Sequence, residues 1–165
     1  MDYYDKISKT YSELYGEEQK QKYVFIANLI KIQGKVLDVG CGDCQFASHF
    51  DVDYYGVEPA KELVRNSKYS IYFDKKRIQL VNAEDMKLDK MFDVIVCITS
   101  AHHFSDPDKV FSKLNNHLKK EGHLVVTLLK NSSKNTTIKE ILIKYFTLKE
   151  FDQGKDVVFL CSSKL

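Results

Sequence analysis

The chain has no run of apolar residues long enough to cross a bilayer: the longest, Val94 to Ile98 and Leu124 to Leu129, fall far short of the about 20 residues that a spanning helix needs. It also lacks the pattern of a secretory leader, because Met1-Asp2-Tyr3-Tyr4-Asp5 is acidic and aromatic where a leader is basic and then apolar. Cysteine is scarce. Three of the four, among Cys41, Cys44, Cys97 and Cys161, lie inside or beside apolar runs, where a free thiol behaves as a small hydrophobe. Disulfides are therefore not expected, and a cytoplasmic setting is. There is no internal repeat, linker or low-complexity stretch. Net charge is nearly absent too: 25 basic against 23 acidic residues leave +2, too little to indicate nucleic acid, which requires Lys and Arg clustered on one face. Residues 100–165 are mildly basic, with 11 Lys or Arg against 7 Asp or Glu, and a solvated lysine-rich surface accounts for that excess.

What is present is the composition of a soluble globular domain, 44% hydrophobic and 29% charged over 165 residues. A single domain of that size buries roughly 70% of its unfolded surface and needs no staple. After residue 34, short continuous apolar runs alternate with segments of helical spacing, the mark of parallel strands joined by helices. The runs are Val36 to Val39, Tyr54 to Val57, Ile78 to Val81, Phe92 to Ile98 and Leu124 to Leu129, followed by Tyr145 to Phe151 and Val157 to Cys161 around a tight reversal at Gln153-Gly154. The expected architecture is α/β: a three-layer, Rossmann-like sandwich on a mostly parallel seven-stranded sheet with an antiparallel C-terminal strand. Helices are predicted at Glu17 to Ile32, Ala60 to Tyr69, Pro107 to Leu118 and Ile138 to Ile143, with a helix-compatible stripe over Asp2 to Tyr15. Ser105 or Asp106 would cap the helix that starts at Pro107.

The densest chemical signal is Val36-Leu37-Asp38-Val39-Gly40-Cys41-Gly42-Asp43-Cys44, a buried strand that breaks into two glycines and then enters a helix. Two glycines there let the backbone bend sharply and approach a ligand, with the unpaired N–H groups of the following helix close by. Glu58 stands 18 residues beyond Gly40, at the end of the second strand, where a carboxylate can accept from both hydroxyls of a ribose. Asn82-Ala83-Glu84-Asp85 follows the third strand, where an acceptor and a backbone N–H could read an adenine edge. A dinucleotide site of the Gly-x-Gly-x-x-Gly kind wants Gly or Ala at its sixth place, and Gln45 occupies that place.

The sequence resembles the class I S-adenosylmethionine-dependent methyltransferases, in the group of small methyltransferase domains marked by Asp-Val-Gly-Cys-Gly and an acidic residue after strand two. The resemblance is clear from Val36 through Phe104. It implies that Asp38, Gly40, Cys41 and Gly42 surround the methionine part of S-adenosylmethionine, Asp38 mostly through the hydrogen bonds around the amino group. It implies further that Glu58 holds the ribose, Pro59 lies on the adenine, and Asn82, Ala83 and Glu84 border its edge. Ile98 and Thr99 would lie beneath the sulfonium, and S-adenosylhomocysteine would be the product. Two departures stand out: Cys44 replaces the family's usual third glycine, and Asn82 replaces its common Asp.

A tyrosine from the N-terminal region covers the cofactor in similar domains, and Tyr11 is the candidate. Residues 1–33 are thus read as a helical segment packing on and capping the cofactor site, and 34–165 as the methyltransferase domain, together one structural domain. His103, and less so His102, are the candidate bases if the acceptor must lose a proton. Cys41-x-x-Cys44 has the spacing of half a zinc site, but with no second cysteine pair no metal is expected. The acceptor is left open between a small metabolite and a macromolecule, with a protein partner or a second copy as a further option and no membrane. The alternative is a binding module that keeps the fold without catalysis.

Overall fold

The computed structural model describes residues 2–164. Twelve elements follow one another: α1 (Asp2–Ile7), α2 (Tyr11–Leu29), β1 (Lys35–Val39), β2 (Asp53–Val57), α3 (Lys61–Arg65), β3 (Ile78–Gln79), β4 (Phe92–Ile98), α4 (Pro107–His117), β5 (Leu118–Leu129), α5 (Asn135–Tyr145), β6 (Phe146–Gln153) and β7 (Asp156–Ser163). The strands make one sheet in the order β3-β2-β1-β4-β5-β7-β6. β1 to β5 pair in parallel, and β7 runs antiparallel to both of its neighbours.

Side chains alternate across a strand, so the apolar runs feed two cores. Ile95 and Cys97 of β4, with Leu124 and Val126 of β5, face Val110, Phe111 and Leu114 of α4 and Ile138 and Leu142 of α5. Val94, Val96 and Ile98, with Val36 of β1, face the other way, onto Tyr23, Ile26 and Ile30 of α2 and Val64 of α3. Three layers result, as the continuous rather than alternating apolar strands predicted. Asp106 caps α4, its carboxylate accepting from the Lys109 N–H at 3.0 Å, with Pro107 in the first turn.

Three local expectations are corrected. The N-terminal helix starts at Tyr11 rather than Glu17 and carries Gly16 in its interior. That glycine is buried against the Gln45 amide, which donates to its carbonyl at 3.1 Å, so close packing offsets its poor helix propensity. The glycine loop after β1 leads not into a helix but into a single 3₁₀ turn, Gln45–Ser48. Cys44 enters it in the left-handed region at φ 60°, and the Ser48 hydroxyl closes on the Gln45 carbonyl at 2.7 Å after one turn. β5 begins directly after α4 at Leu118, well before Leu124: Leu118 already pairs with Phe92 of β4, and the register then shifts between Phe92 and Val94.

Gly34, which feeds β1, has φ 71°, and a Cβ there would lie 2.4 Å from Asp93 Oδ2. The Asp93 carboxylate cannot yield freely, since it accepts from the Lys35 N–H and from Lys119 Nζ, each at 2.8 Å. Gly34→Ala should destabilise the fold by about 1–3 kcal/mol, the usual cost of a strained left-handed residue, read from the denaturant midpoint. An unshifted midpoint would show that the turn tolerates a side chain.

Candidate active site

Strand order reverses between β1 and β4, so the chain leaves β1 toward a 3₁₀ turn on one face of the sheet and leaves β4 toward α4 on the other, with a crevice between the two strand ends. A cavity of about 470 Å³ occupies that crevice. Its walls come from the tips of successive strands: Gly40 and Gly42 after β1, Glu58 to Ala60 after β2, Asn82 to Glu84 after β3, Ile98 to Ser100 after β4 and Leu129 at the end of β5. α2 closes one side with Tyr11, Tyr15, Glu18 and Lys22, which share one helical face.

The bend after β1 is tied down from β2. The Gly40 and Cys41 N–H groups both donate to the Val57 carbonyl, at 2.7 and 3.1 Å. Gly40 (φ 77°) has no room for a side chain, because a Cβ would meet Ser100 Cβ at 2.3 Å, and the Ser100 hydroxyl in turn donates to the Val39 carbonyl. Gly42 donates to Glu58 Oε2 at 2.9 Å, while Ala60 donates to Oε1 at 2.8 Å. Each Glu58 oxygen keeps a further lone pair for a ligand. Burial raises the Glu58 carboxyl above the usual range against those two hydrogen bonds. Burial also raises Asp38 to about 7 and Asp43 to about 6. Carboxyls whose ionisation burial disfavours are ionised more readily beside a bound cation, so three of them at one bend favour a positively charged ligand.

The wall opposite Glu58 is aromatic. A Cβ on Gly42 would come 3.6 Å from the Tyr11 ring, so ring and glycine face each other across a gap that a side chain would fill. The Tyr11 hydroxyl is raised by burial, then by Asp43, and stays protonated. Tyr4 packs edge-on against His103, and its hydroxyl lies 3.1 Å from His103 Nε2. Burial, then nearby charge such as Lys134, lowers His103, and burial with the His103 charge lowers His102 to about 4. Both imidazoles are thus neutral at neutral pH.

The sequence-predicted residues Tyr11, Gly40, Gly42, Glu58, Pro59, Asn82, Ala83, Glu84, Ile98, Thr99, His102 and His103 all line this cavity. Asp38 and Cys41 do not. The Asp38 side chain points to the face of the sheet that α2 covers and accepts from the Tyr54 hydroxyl at 2.8 Å, because alternate residues of β1 face opposite layers. Cys41 packs behind the bend against Gly56, and its sulfur lies 3.6 Å from that of Cys44. Glu84 lines the cavity with its carboxylate partly engaged, accepting from the Ser105 and Asp106 N–H groups at 2.7 and 3.1 Å. Sequence reasoning missed Tyr4, Tyr15, Glu18, Gln19 and Lys22. The spacing of Tyr11, Tyr15, Glu18 and Lys22 was the available signal, and it is obscured when a helix is started only at Glu17.

Residues 37–126 match the family described as methyltransferase domain, more than half of the chain. The chain belongs to that family. Its members are S-adenosylmethionine-dependent class I methyltransferases. A ubiquinone biosynthesis O-methyltransferase of Rickettsia felis is 23% identical over 116 residues, covering 67% of this chain and 48% of its own length. The methyltransferase YcgJ of Bacillus subtilis is 31% identical over 105 residues, 58% of this chain and 41% of that protein. The chain thus spans about half the length of the curated relatives it matches. Among solved structures, a Pyrococcus horikoshii protein aligns with a TM-score of 0.78 at 18% identity over 99% of both chains. The N-methyltransferase NodS of Bradyrhizobium japonicum, in complex with S-adenosyl-L-homocysteine, aligns with a TM-score of 0.75 at 12% identity over 92% of this chain and 88% of its own. At those identities the likeness is one of fold.

The residues present fit the methyl donor of this family. The gap between Gly42 and Tyr11 is one that a side chain would fill, the Glu58 carboxylate retains acceptor capacity, and the buried acids suit a ligand that carries a sulfonium and an ammonium.

The raised Asp38 carboxyl has a measurable consequence. An acid that holds its proton more tightly when folded contributes stability below its unfolded pKa, about 4, and loses it as pH rises through about 7. Asp38→Asn keeps an acceptor for Tyr54 without the ionisation. Urea midpoints at pH 5 and pH 7 should therefore show the variant gaining on the parent as pH rises, whereas a constant difference would place the proton elsewhere.

Proposed function

We propose that this methyltransferase-family chain binds S-adenosylmethionine in the crevice between β1 and β4 and transfers its methyl group to an acceptor that enters beside Thr99, His102 and His103. The observation that carries the reading is the pairing of Glu58 with the Gly42 N–H, which aims a buried carboxylate into the cavity at the tip of β2. When bound, the cofactor supplies an activated methyl group on a good leaving group, so alignment and exclusion of water account for most of the catalysis. In this reading Glu58 accepts from the ribose hydroxyls, Pro59 and Asn82 to Glu84 border the adenine, and Gly40 and Gly42 admit the methionine part. The α2 face with Tyr11 covers it, the capping role assigned to the first 33 residues. Asp38 acts from behind the bend, through Tyr54 and the charge of the site, rather than by contact.

The relatives named for ubiquinone biosynthesis are O-methyltransferases, and we infer a hydroxyl acceptor here as well. A hydroxyl must lose its proton before or during attack, and a neutral imidazole can take it. His103 is the better placed of the two histidines, since its Nε2 is oriented by the Tyr4 hydroxyl, whereas buried His102 Nδ1 has no partner among the described residues. Four free thiols and the nature of the cofactor suit a cytoplasmic setting. Among the described residues, no helix is long and apolar enough to cross a membrane.

Calorimetry with S-adenosylmethionine and S-adenosylhomocysteine tests the cofactor assignment: micromolar binding is expected, and silence from both would instead favour a scaffold without catalysis. Glu58→Ala should weaken either ligand by about 1–3 kcal/mol, because the ribose hydroxyls lose a charged acceptor. Unchanged affinity would put the ribose elsewhere. His103→Ala should leave S-adenosylhomocysteine affinity within about threefold and cut methyl incorporation from labelled donor into cell extract by at least tenfold, the lower part of the usual range for a lost general base. Full incorporation would remove His103 from proton transfer.

A further inference from the structure

Lys22 sits in the middle of α2 with 3% of its surface exposed, and it lines the cavity. Its ammonium has three partners: Thr99 Oγ1 at 2.9 Å, Asp156 Oδ2 at 2.8 Å and Glu18 Oε1 at 3.1 Å. These lie just after β4, at the start of β7 and one turn back on α2. Asp156 is wholly buried. A lysine on a surface helix ordinarily keeps its head in water, and burying an ion pair contributes little to net stability compared with apolar side chains of the same volume. This pair therefore calls for a role other than filling the core.

Thr99 supplies one. It is β-branched yet has φ 52°, a conformation that such residues rarely adopt. It is held from two sides. Its N–H donates to the Thr127 carbonyl and to Thr127 Oγ1, at 3.1 and 2.9 Å, and its own hydroxyl accepts from Lys22. The chain that leaves this turn carries Ser100, His102 and His103 into the cavity wall. The same ammonium fastens α2 where Tyr15, Glu18 and Gln19 line the cavity. In strand order, β4, β5 and β7 lie on the far side of β1 from β2 and Glu58, so on the reading proposed above, with the ribose at Glu58, this end of the cavity receives the acceptor.

We propose that Lys22 is a positioning residue for methyl transfer. Its ammonium pins α2 to the tips of β4 and β7 and holds Thr99 in its left-handed turn, which fixes the shape of the acceptor end. It acts through Thr99 and the helix and touches no reacting atom.

Lys22→Met alone strands the Asp156 charge and destabilises the fold for that reason, so the informative pair of variants is Lys22→Met/Asp156→Leu and Lys22→Arg. The urea midpoint reports global stability, and hydrogen exchange of the protein without ligand reports the pin. The double variant should keep its midpoint within about a tenth of the parent's. Amides of residues 18–26 and 99–103 should exchange at least tenfold faster, while those of β1 and β4 are unchanged. Lys22→Arg should bring exchange back to within threefold of the parent. Methyl incorporation from labelled donor into cell extract should fall at least tenfold in the double variant and return to within threefold of the parent in Lys22→Arg. The proposal is overturned if the folded double variant exchanges at parental rates in both segments, or if it does not fold while Lys22→Arg does, since the pair would then serve stability alone. Failure of the parent to bind S-adenosylhomocysteine would count against the cofactor assignment and leave the exchange comparison intact.

Discussion

Glu58 offers one carboxylate oxygen to the Gly42 N–H and the other to the Ala60 N–H, so the bend after β1 and the turn after β2 share one buried negative charge. Backbone N–H groups left unpaired inside a protein are costly, and a bend of glycines exposes several at once. The Val57 carbonyl takes two of them and Glu58 a third. The loop thereby keeps its open curve without side chains filling it, and the cavity exists because the bend is held from outside. Ser100 completes the arrangement from β4, bonding the Val39 carbonyl and occupying the space beside Gly40.

Electrostatics follow from that geometry. Asp38, Asp43 and Glu58 are all buried near the bend; burial raises each of them, and Glu58 and Asp43 raise Asp38 further. Hydrogen bonds from Gly42, Ala60 and Tyr54 offset only part of that burial cost, which suits a cationic ligand better than an anionic one. At the other end of the cavity the charges are compensated internally, Lys22 against Asp156 and Glu18. One end is thus prepared to attract a cation, while the other spends its charges on holding its own walls.

Much of the fold was legible because its signals are local. Short runs of Val, Ile and Leu bounded by turn residues suit strands covered on both faces, and those at Val36, Phe92 and Leu124 hold the centre of the sheet. Gly154, at φ 61° between β6 and β7, marked the antiparallel end. Errors arose where an element's bounds depended on side-chain contacts that residue type and spacing do not reveal. Gly16 reads as a break in a helix unless Gln45 is known to pack on it, and the helix expected after Cys44 stops after one turn because local hydroxyl and carbonyl groups close it.

By itself the sequence determined the strand-and-helix alternation, the two bare positions after β1 and the acid 18 residues later, since each is written in residue type and spacing along one short segment. Tertiary structure alone decided which groups face the cavity. Asp38 lies in the motif yet turns toward Tyr54, whereas Lys22 and Glu18, outside any motif, become wall, because the direction of a side chain is set by the layer packed against its element. It also decided that Thr99 should take a left-handed turn, a conformation that its own residue type disfavours and that contacts from β5 and α2 sustain.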